Sequence, residues 1–136
     1  MIRALSFDLD DTLWPIEPTI LHAERSLQHW LHVRVPEIAP LWPSERLRAH
    51  RDDIATRRPD LAHDYSAQRR HSLHEVLADQ PERENLVESA FAAFYAARNE
   101  VTLYPDAASA LVRLSARFRM ASLSNGNADL ERIGLA

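Results

Sequence analysis

The stretch Ile2 to Leu13, IRALSFDLDDTL, decides the fold of this chain. It opens with an apolar run of the length expected for a buried parallel strand, and three acids, Asp8, Asp10 and Asp11, follow within four residues. Open α/β sheets bind their ligands at the carboxyl ends of strands. Asp8 and Asp10 are two positions apart, so on an extended backbone their side chains leave on the same face. Two like charges at that spacing favour a divalent cation with oxygen ligands, and we expect Mg²⁺.

The composition places the chain among ordinary globular domains. It has 136 residues, a formal net charge of −4, and no Lys among its 16 basic residues. This mildly acidic balance indicates no nucleic-acid partner, and the absence of cysteine excludes disulfide and thiolate chemistry. The N-terminal residues lack the apolar segment of a secretory signal, and no apolar run approaches the length of a membrane span. We therefore expect a soluble cytoplasmic protein with no membrane partner.

Apolar residues recur at helical spacing after this first stretch. They predict four consecutive helices, at about 18–33, 44–58, 61–78 and 82–99, with Ser44 as the N-cap of the second. The fourth carries the strongest apolar stripe. Four helices in succession without an intervening strand predict a small helical bundle.

The pattern changes in the last third of the chain. A further helix is predicted to begin near Pro105, and residues 118–123, FRMASL, have the composition of a second buried strand. That strand ends in the polar turn Ser124-Asn125-Gly126-Asn127, and a short closing helix begins near Ala128.

This order of elements predicts an α/β fold with an inserted helical domain. We expect residues 1–14 and 100–136 to form an α/β core and residues 15–99 to form an all-helical cap. The insertion lies directly after the first strand, next to the acidic cluster. The cap should therefore cover the site that the acids define.

The acidic cluster carries a family resemblance. Asp8-Leu9-Asp10-Asp11-Thr12-Leu13 after an apolar strand resembles the first motif of the haloacid dehalogenase superfamily, and Ser124 at the end of the second strand resembles its second motif. The insert resembles the helical, C1-type cap of that superfamily, so the resemblance implies a Rossmann-type core. Together with the His63-Asp64 region, these motifs look most like bacterial phosphatases that act on FMN and on the phosphorylated precursor of riboflavin.

The resemblance implies a Mg²⁺-dependent phosphatase for a small phosphorylated metabolite. Asp8 would attack phosphorus to form an aspartyl-phosphate, and Asp10 would act as the general acid and base. Mg²⁺ would be held by Asp8 and by the backbone carbonyl of Asp10. The hydroxyl of Ser124 and the backbone amides around Asn125 and Gly126 would bind the phosphoryl oxygens. Thr12 would brace the loop.

Several alternatives stay open on the sequence alone. The acidic cluster could be an ordinary polar turn after a strand, the 124–127 segment could be a helix N-cap, and Asp11 is expected to be solvated or capping. A dehalogenase is disfavoured, because a halide leaving group needs no acid and its pattern lacks the second Asp. A phosphomutase and a catalytically silent binding protein remain as rivals.

The predicted cap offers few clear substrate contacts. Trp14 could stack on a flat ring, but packing between cap and core is favoured. The pairs Arg57-Arg58 and Arg69-Arg70 could meet an anion, yet a solvated helix face is the more common role. A structural or surface role is also favoured over metal binding for the histidines, which are His22, His29, His32, His50, His63, His71 and His74.

The resemblance also predicts an incomplete site. The family has a Lys and an acidic pair C-terminal to the second motif. The chain has no Lys, and the acids that follow Ser124, Asp129 and Glu131, are predicted to lie on the closing helix and not after a further strand. We therefore expect little activity from these 136 residues alone. We also expect an open apolar strand edge, which would favour association with another copy of the chain.

Overall fold

The computed structural model describes all 136 residues, as six α-helices and two strands. In chain order these are β1 Ala4–Phe7, α1 Ile16–Arg34, α2 Ser44–Arg57, α3 Tyr65–Val76, α4 Arg83–Arg98, α5 Ala107–Ser115, β2 Arg119–Ser122 and α6 Leu130–Ile133. Short 3₁₀ turns at Ala39–Leu41 and Pro59–Leu61 flank α2. No helix combines the length and the apolar character that crossing a membrane requires.

The four long helices share one apolar core. Helix α1 packs along α4, and α3 packs against both α2 and α4. The apolar stripes that the sequence shows at helical spacing face this shared interior. The core consists of Ala23, Leu27, Leu31, Val35, Ala39, Leu47, Leu73, Val76, Leu77, Val87, Ala90, Phe91, Phe94 and Ala97.

The predicted helix boundaries hold within two residues for α1, α2 and α4, and α3 begins later than expected. Pro59–Leu61 forms a separate 3₁₀ turn there, and Asp64 caps α3 by accepting a hydrogen bond from the amide of Ala67 at 2.8 Å. The prediction of Ser44 as an N-cap is wrong by one position. Ser44 is the first helical residue, and Pro43 precedes it as the cap.

The two strands pair in parallel, as the alternation of elements predicts, with Ala4 opposite Arg119 and Phe7 opposite Ser122. The expectation that both strands are buried is wrong. Strand β1 alternates between exposed and half-buried residues, and β2 is exposed along its length. Each strand has a single neighbour, so neither is enclosed on both sides, and Leu123 after β2 is 74% exposed. The open apolar edge is present, and association through it stays a prediction.

A second, smaller apolar cluster anchors the carboxyl end of β1. Its buried members are Leu9, Leu13, Trp14 and Ala107. The amide of Tyr104 donates to the carbonyl of Leu13 at 2.9 Å, which ties the segment before α5 to the loop after β1. This cluster holds the acidic loop in place. The domain division at residues 14 and 100 stays a prediction.

We predict that Leu27→Ala lowers the free energy of unfolding by about 2–5 kcal/mol, because it opens a cavity in the shared helical core. Leu27 is 1% exposed. Leu21→Ala is the matched control on the same helix, since Leu21 is 39% exposed, and it should cost within about 0.5 kcal/mol. Urea unfolding followed by circular dichroism measures both variants. Equal losses would show that α1 does not bury this face.

Candidate active site

The loop between β1 and α1 is a tight, internally bonded turn. The amides of Thr12 and Leu13 donate to the carbonyl of Leu9 at 3.0 and 2.8 Å, and the amide of Asp11 donates to the carbonyl of Trp14 at 2.7 Å. Asp11 has a φ of 60°, a left-handed conformation that Asp adopts more readily than most residues. The loop thus reverses the chain within a few residues.

The side chain of Asp11 serves the start of α1. Its Oδ1 accepts a hydrogen bond at 2.8 Å from the amide of Ile16, the first residue of that helix. The first amides of a helix have no partner within the helix, so this contact satisfies one of them. As expected for a solvated or capping residue, Asp11 is exposed and bonds the first amide of α1, although Pro15 occupies the N-cap position.

Asp8 lies at the carboxyl end of β1 with an exposed side chain. Its Oδ2 accepts a hydrogen bond from the hydroxyl of Thr12 at 3.3 Å, so Thr12 braces this carboxylate. The amide of Leu123 donates to the carbonyl of Phe7 at 2.8 Å. Asp8 follows Phe7 and Ser124 follows Leu123, so both residues lie at the carboxyl end of the strand pair.

Asp10 has very different surroundings from Asp8. Its Oδ1 accepts hydrogen bonds from Trp14 Nε1 and Arg98 Nη2, each at 2.8 Å, and its Oδ2 accepts from Arg98 Nη2 at 2.7 Å. Trp14 is completely buried, so it cannot stack on a substrate. It packs in the second apolar cluster, none of whose members comes from residues 15–99, so packing is confirmed but packing between cap and core is not shown. Trp14 and Arg98 together fix the position of the Asp10 carboxylate.

Arg98 is the functional candidate that sequence analysis missed. It is the last residue of α4, its side chain is 1% exposed, and 88 positions separate it from Asp10. Its Nε also donates to Asn127 Oδ1 at 3.1 Å, while its Nη1 is buried without a partner. A signal was available, because Arg98 follows Phe91 and Phe94 at helical spacing and so continues the apolar stripe of α4.

The Ser124 loop lies against Asp10. The hydroxyl oxygen of Ser124 accepts a hydrogen bond from the amide of Gly126 at 3.0 Å. A Cβ atom at position 126 would overlap Asp10 Oδ2. A larger residue there would push the Asp10 carboxylate away from Trp14 and Arg98, so glycine suits this close approach. The loop brings Ser124 and Gly126 to the carboxylate of Asp10.

The helix-cap alternative for residues 124–127 is wrong. Helix α6 is capped by Asp129, whose Oδ1 accepts hydrogen bonds from the amides of Glu131 and Arg132 at 3.1 and 3.3 Å. Asn127 instead bridges two segments. It accepts from Arg98 and donates from its Nδ2 to the hydroxyl of Ser66 on α3 at 3.2 Å. The segment joins helices α3 and α4 to the core.

A cavity of about 320 Å³ opens between the helical bundle and these two loops. Asp8 and Ser124 do not line it, whereas Asp10 and Gly126 do. Acidic side chains come from the β1 loop, and basic and aromatic ones come from the helices. The lining residues are Asp10, Asp11, Ile16, Ile20, Arg51, Tyr65, Arg69, Phe94, Arg98, Asn125, Gly126 and Asn127.

The prediction that the two arginine pairs lie on solvated helix faces is wrong for Arg69. Arg57 and Arg58 form exposed ion pairs with acidic neighbours, and Arg70 pairs with Glu88 at 2.9 Å. Arg69, in contrast, is buried, and burial lowers the pKa of its guanidinium to about 10, with nearby positive charge on Arg51 adding to the effect. It remains charged at neutral pH.

The described residues do not by themselves form a Mg²⁺ site. Nowhere do three or more His, Cys, Asp or Glu side chains converge as a metal would need. Asp8 offers a hard oxygen ligand, but the Asp10 carboxylate is engaged by Arg98. Octahedral coordination needs more oxygen ligands than Asp8 supplies. Several histidines pair with acids instead, including His22 with Glu100 and His74 with Glu84.

A parallel strand pair whose carboxyl ends carry an acidic loop and a serine loop, with four helices inserted between the strands, defines an α/β protein with an inserted helical bundle. The model of the haloacid dehalogenase-like hydrolase family matches residues 2–136. The chain belongs to this family, which confirms the predicted superfamily and fold class.

Two individual proteins illustrate the relationship. The chain is 28% identical over 138 residues to 5-amino-6-(5-phospho-D-ribitylamino)uracil phosphatase YigB of Escherichia coli (strain K12), a match that covers 98% of this chain and 58% of that protein. It is 36% identical, with a TM-score of 0.89, to the crystal structure of a 2-haloacid dehalogenase from Pseudomonas syringae pv. tomato DC3000, covering 100% of this chain and 60% of that one. The chain therefore spans about three fifths of the length of either relative.

We predict that Arg98→Met lowers the free energy of unfolding by about 3–5 kcal/mol, because it leaves the half-buried Asp10 carboxylate without its cation. Arg57→Met is the matched control. It removes only exposed ion pairs, with Asp53 and Glu75, and should lower stability far less, because solvent screens exposed pairs. Urea unfolding measures both, and a loss for Arg98→Met no larger than the control would show that the buried pair does not hold the cap to the core.

Proposed function

We propose that the chain is the catalytic part of a phosphatase that hydrolyses a small phosphorylated metabolite. One observation carries this proposal: Asp10, which Arg98 and Trp14 hold in place, lies against the Ser124–Gly126 loop. Both lie at the carboxyl end of the strand pair, where Asp8 follows β1. The similarity to a phosphatase over nearly the whole chain supports it. A phosphomonoester needs a nucleophile, a proton donor and hydrogen bonds to its oxygens, and this edge offers candidates for each.

Asp8 would be the nucleophile. Its carboxylate oxygen forms a bond to phosphorus while the bond to the leaving oxygen breaks, and a water molecule later cleaves the resulting aspartyl-phosphate. The exposed position of Asp8 leaves room for that attack, and Thr12 restrains its other oxygen. The hydroxyl of Ser124, which accepts from Gly126, still has its own proton to donate to a phosphoryl oxygen.

Asp10 would donate a proton to the leaving oxygen and then take one from the attacking water. Its Oδ1 already accepts two hydrogen bonds, whereas its Oδ2 accepts one. Since each carboxylate oxygen has about two acceptor positions, Oδ2 is the atom that can hold the transferred proton. Arg98 and Trp14 would act as positioning residues that aim this oxygen.

Mg²⁺ is the proposed cofactor, with Asp8 and the backbone carbonyl of Asp10 as its ligands within this chain. When bound, it would neutralise part of the negative charge shared by Asp8 and the phosphate. The described residues leave its coordination incomplete. All 16 basic residues are Arg, and none pairs with Asp8. A low turnover number is therefore expected for the 136 residues alone.

FMN or the phosphorylated precursor of riboflavin are candidate substrates. The similarity to a phosphatase named for such a precursor supports them. The cavity of about 320 Å³ has aromatic and aliphatic walls at Phe94, Tyr65 and Ile20, which suit a ring or a short chain.

Hydrolytic dehalogenation is the second candidate, because a 2-haloacid dehalogenase is 36% identical to this chain. Asp8 would be the nucleophile in that reaction as well. A halide leaves without a proton, so the held carboxylate of Asp10 would have no role in it. This difference makes Asp10 the residue that separates the two candidates.

We predict Mg²⁺-dependent release of phosphate from p-nitrophenyl phosphate, lost in EDTA and in Asp8→Asn. With an alkyl phosphate such as glycerol 2-phosphate, whose alkoxide leaving group needs a proton, Asp10→Asn should lower turnover by about 10²–10⁴-fold, the usual contribution of a general acid. Asp53→Asn, an exposed change in the helical bundle, is the control and should retain the unsubstituted rate. Phosphate release is measured by absorbance, and chloride release from 2-chloropropionate is measured in parallel.

The outcomes separate the candidates. Chloride release that survives Asp10→Asn, without phosphate release, would favour the dehalogenase. Transfer of the phosphoryl group to a sugar would favour a phosphomutase. No turnover of either substrate by a verified full-length protein would favour a silent binding protein, because little activity is expected from the 136 residues alone.

A further inference from the structure

Arg69 is a buried cation with an unused hydrogen-bonding edge. It lies on α3, its residue is 2% exposed, and its Nε and Nη2 atoms are buried without a hydrogen-bond partner. Burying a charge without a partner is costly. A side chain in this position calls for a compensating group that the described residues do not supply.

The neighbouring charges do not compensate Arg69. The groups that face it are Arg48, Arg51 and Asp52 of α2 and Glu24 of α1. Arg48 is committed to Glu24, through contacts of 3.0 and 2.5 Å, and Arg51 is committed to Asp52. Three cations thus share two carboxylates, and the positive charge in excess is that of Arg69.

The geometry of the guanidinium indicates what it could receive. Its central carbon lies 4.4 Å from the centroid of the Phe94 ring, a favourable contact for a cation, and its Nε and Nη2 atoms make no hydrogen bond. Nε and Nη2 form one edge of the guanidinium fork, and two parallel N–H bonds on such an edge match a two-oxygen acceptor. Arg69 lines the same cavity as Asp10 and Gly126.

We infer that Arg69 is an anion subsite of the cavity, which receives a carboxylate or a second phosphoryl group carried by the substrate at the end away from the reacting phosphate. This inference rests on the proposed phosphatase function and narrows its substrate class to phosphomonoesters with a second anionic group. A substrate with an uncharged far end, such as the ring of FMN, would leave Arg69 uncompensated, so this inference argues against FMN and the riboflavin precursor as substrates and in favour of a phosphomonoester with two anionic ends.

Three phosphonates test the inference on the complete 136-residue chain by isothermal titration calorimetry. They are 6-phosphonohexanoate, hexane-1,6-bisphosphonate and hexylphosphonate, which share a chain and differ only at the far end. We expect at least one of the two probes with an anionic far end to bind at least about tenfold more tightly than hexylphosphonate. A tenfold difference corresponds to the net contribution of one charge-assisted hydrogen bond. The better of the two identifies the anion as carboxylate or phosphoryl.

Variants assign the preference to Arg69. Arg69→Met should abolish it, and Arg69→Lys should keep part of it, because Lys has the charge without the two-donor edge. Arg70→Met is the matched control on the same helix, since Arg70 pairs with Glu88 at the surface, and it should retain the full preference. Thermal unfolding of each variant confirms that it is folded. Because Arg69→Met removes an uncompensated buried charge, it should not lower the unfolding midpoint.

Equal binding of the three probes by the unsubstituted chain would overturn the inference without the need for any variant. A preference that survives in folded Arg69→Met would also overturn it. Hydrolysis of p-nitrophenyl phosphate, which has no second anion, tests the proposed function separately. Turnover without a probe preference would contradict only the anion subsite. A probe preference without turnover would contradict only the proposed phosphatase function.

Discussion

The ion pair between Asp10 and Arg98 is the constraint on which the arrangement of this chain depends. A charge inside a protein is tolerated when a well-oriented opposite charge and further hydrogen bonds compensate it. Arg98 is almost fully buried at the end of α4, and it meets both Asp10 and Asn127. The loop after β1, the end of the helical bundle and the loop after β2 must therefore come together for any of them to be satisfied.

The same constraint connects the packing of the helices to the chemistry of the site. Packing against α1 and α3 fixes the position of the end of α4, because Phe91 and Phe94 of α4 lie in the shared apolar core. Arg98 continues that stripe, so its guanidinium reaches the loops only when α4 is docked on its neighbours. Asp10 is thus placed by a bundle whose own sequence lies outside the acidic motif.

Much of the architecture could be predicted because it is encoded locally. Helical spacing of apolar residues predicts α1, α2 and α4 closely, and the alternation of elements predicts the parallel strand pair. The start of α3 was missed because capping by Asp64 competes with a continuous periodic pattern. The exposure of β1 and β2 was missed because an apolar composition indicates what a strand prefers and carries no information on how many neighbours it has. Arg98 was missed for a similar reason, since spacing shows that it faces inward but cannot identify which of 20 acids it meets.

The close approach of Gly126 to Asp10 has a consequence for how this site can vary. Because a Cβ at position 126 would overlap the carboxylate oxygen of Asp10, the size of the residue at either position limits the size of the residue at the other. A shorter residue at position 10 would make space for alanine at position 126, but it would also leave the buried Arg98 without its carboxylate partner. A substitution at position 10, 98 or 126 therefore affects the fit of the other two residues, although the three lie in separate segments of the chain.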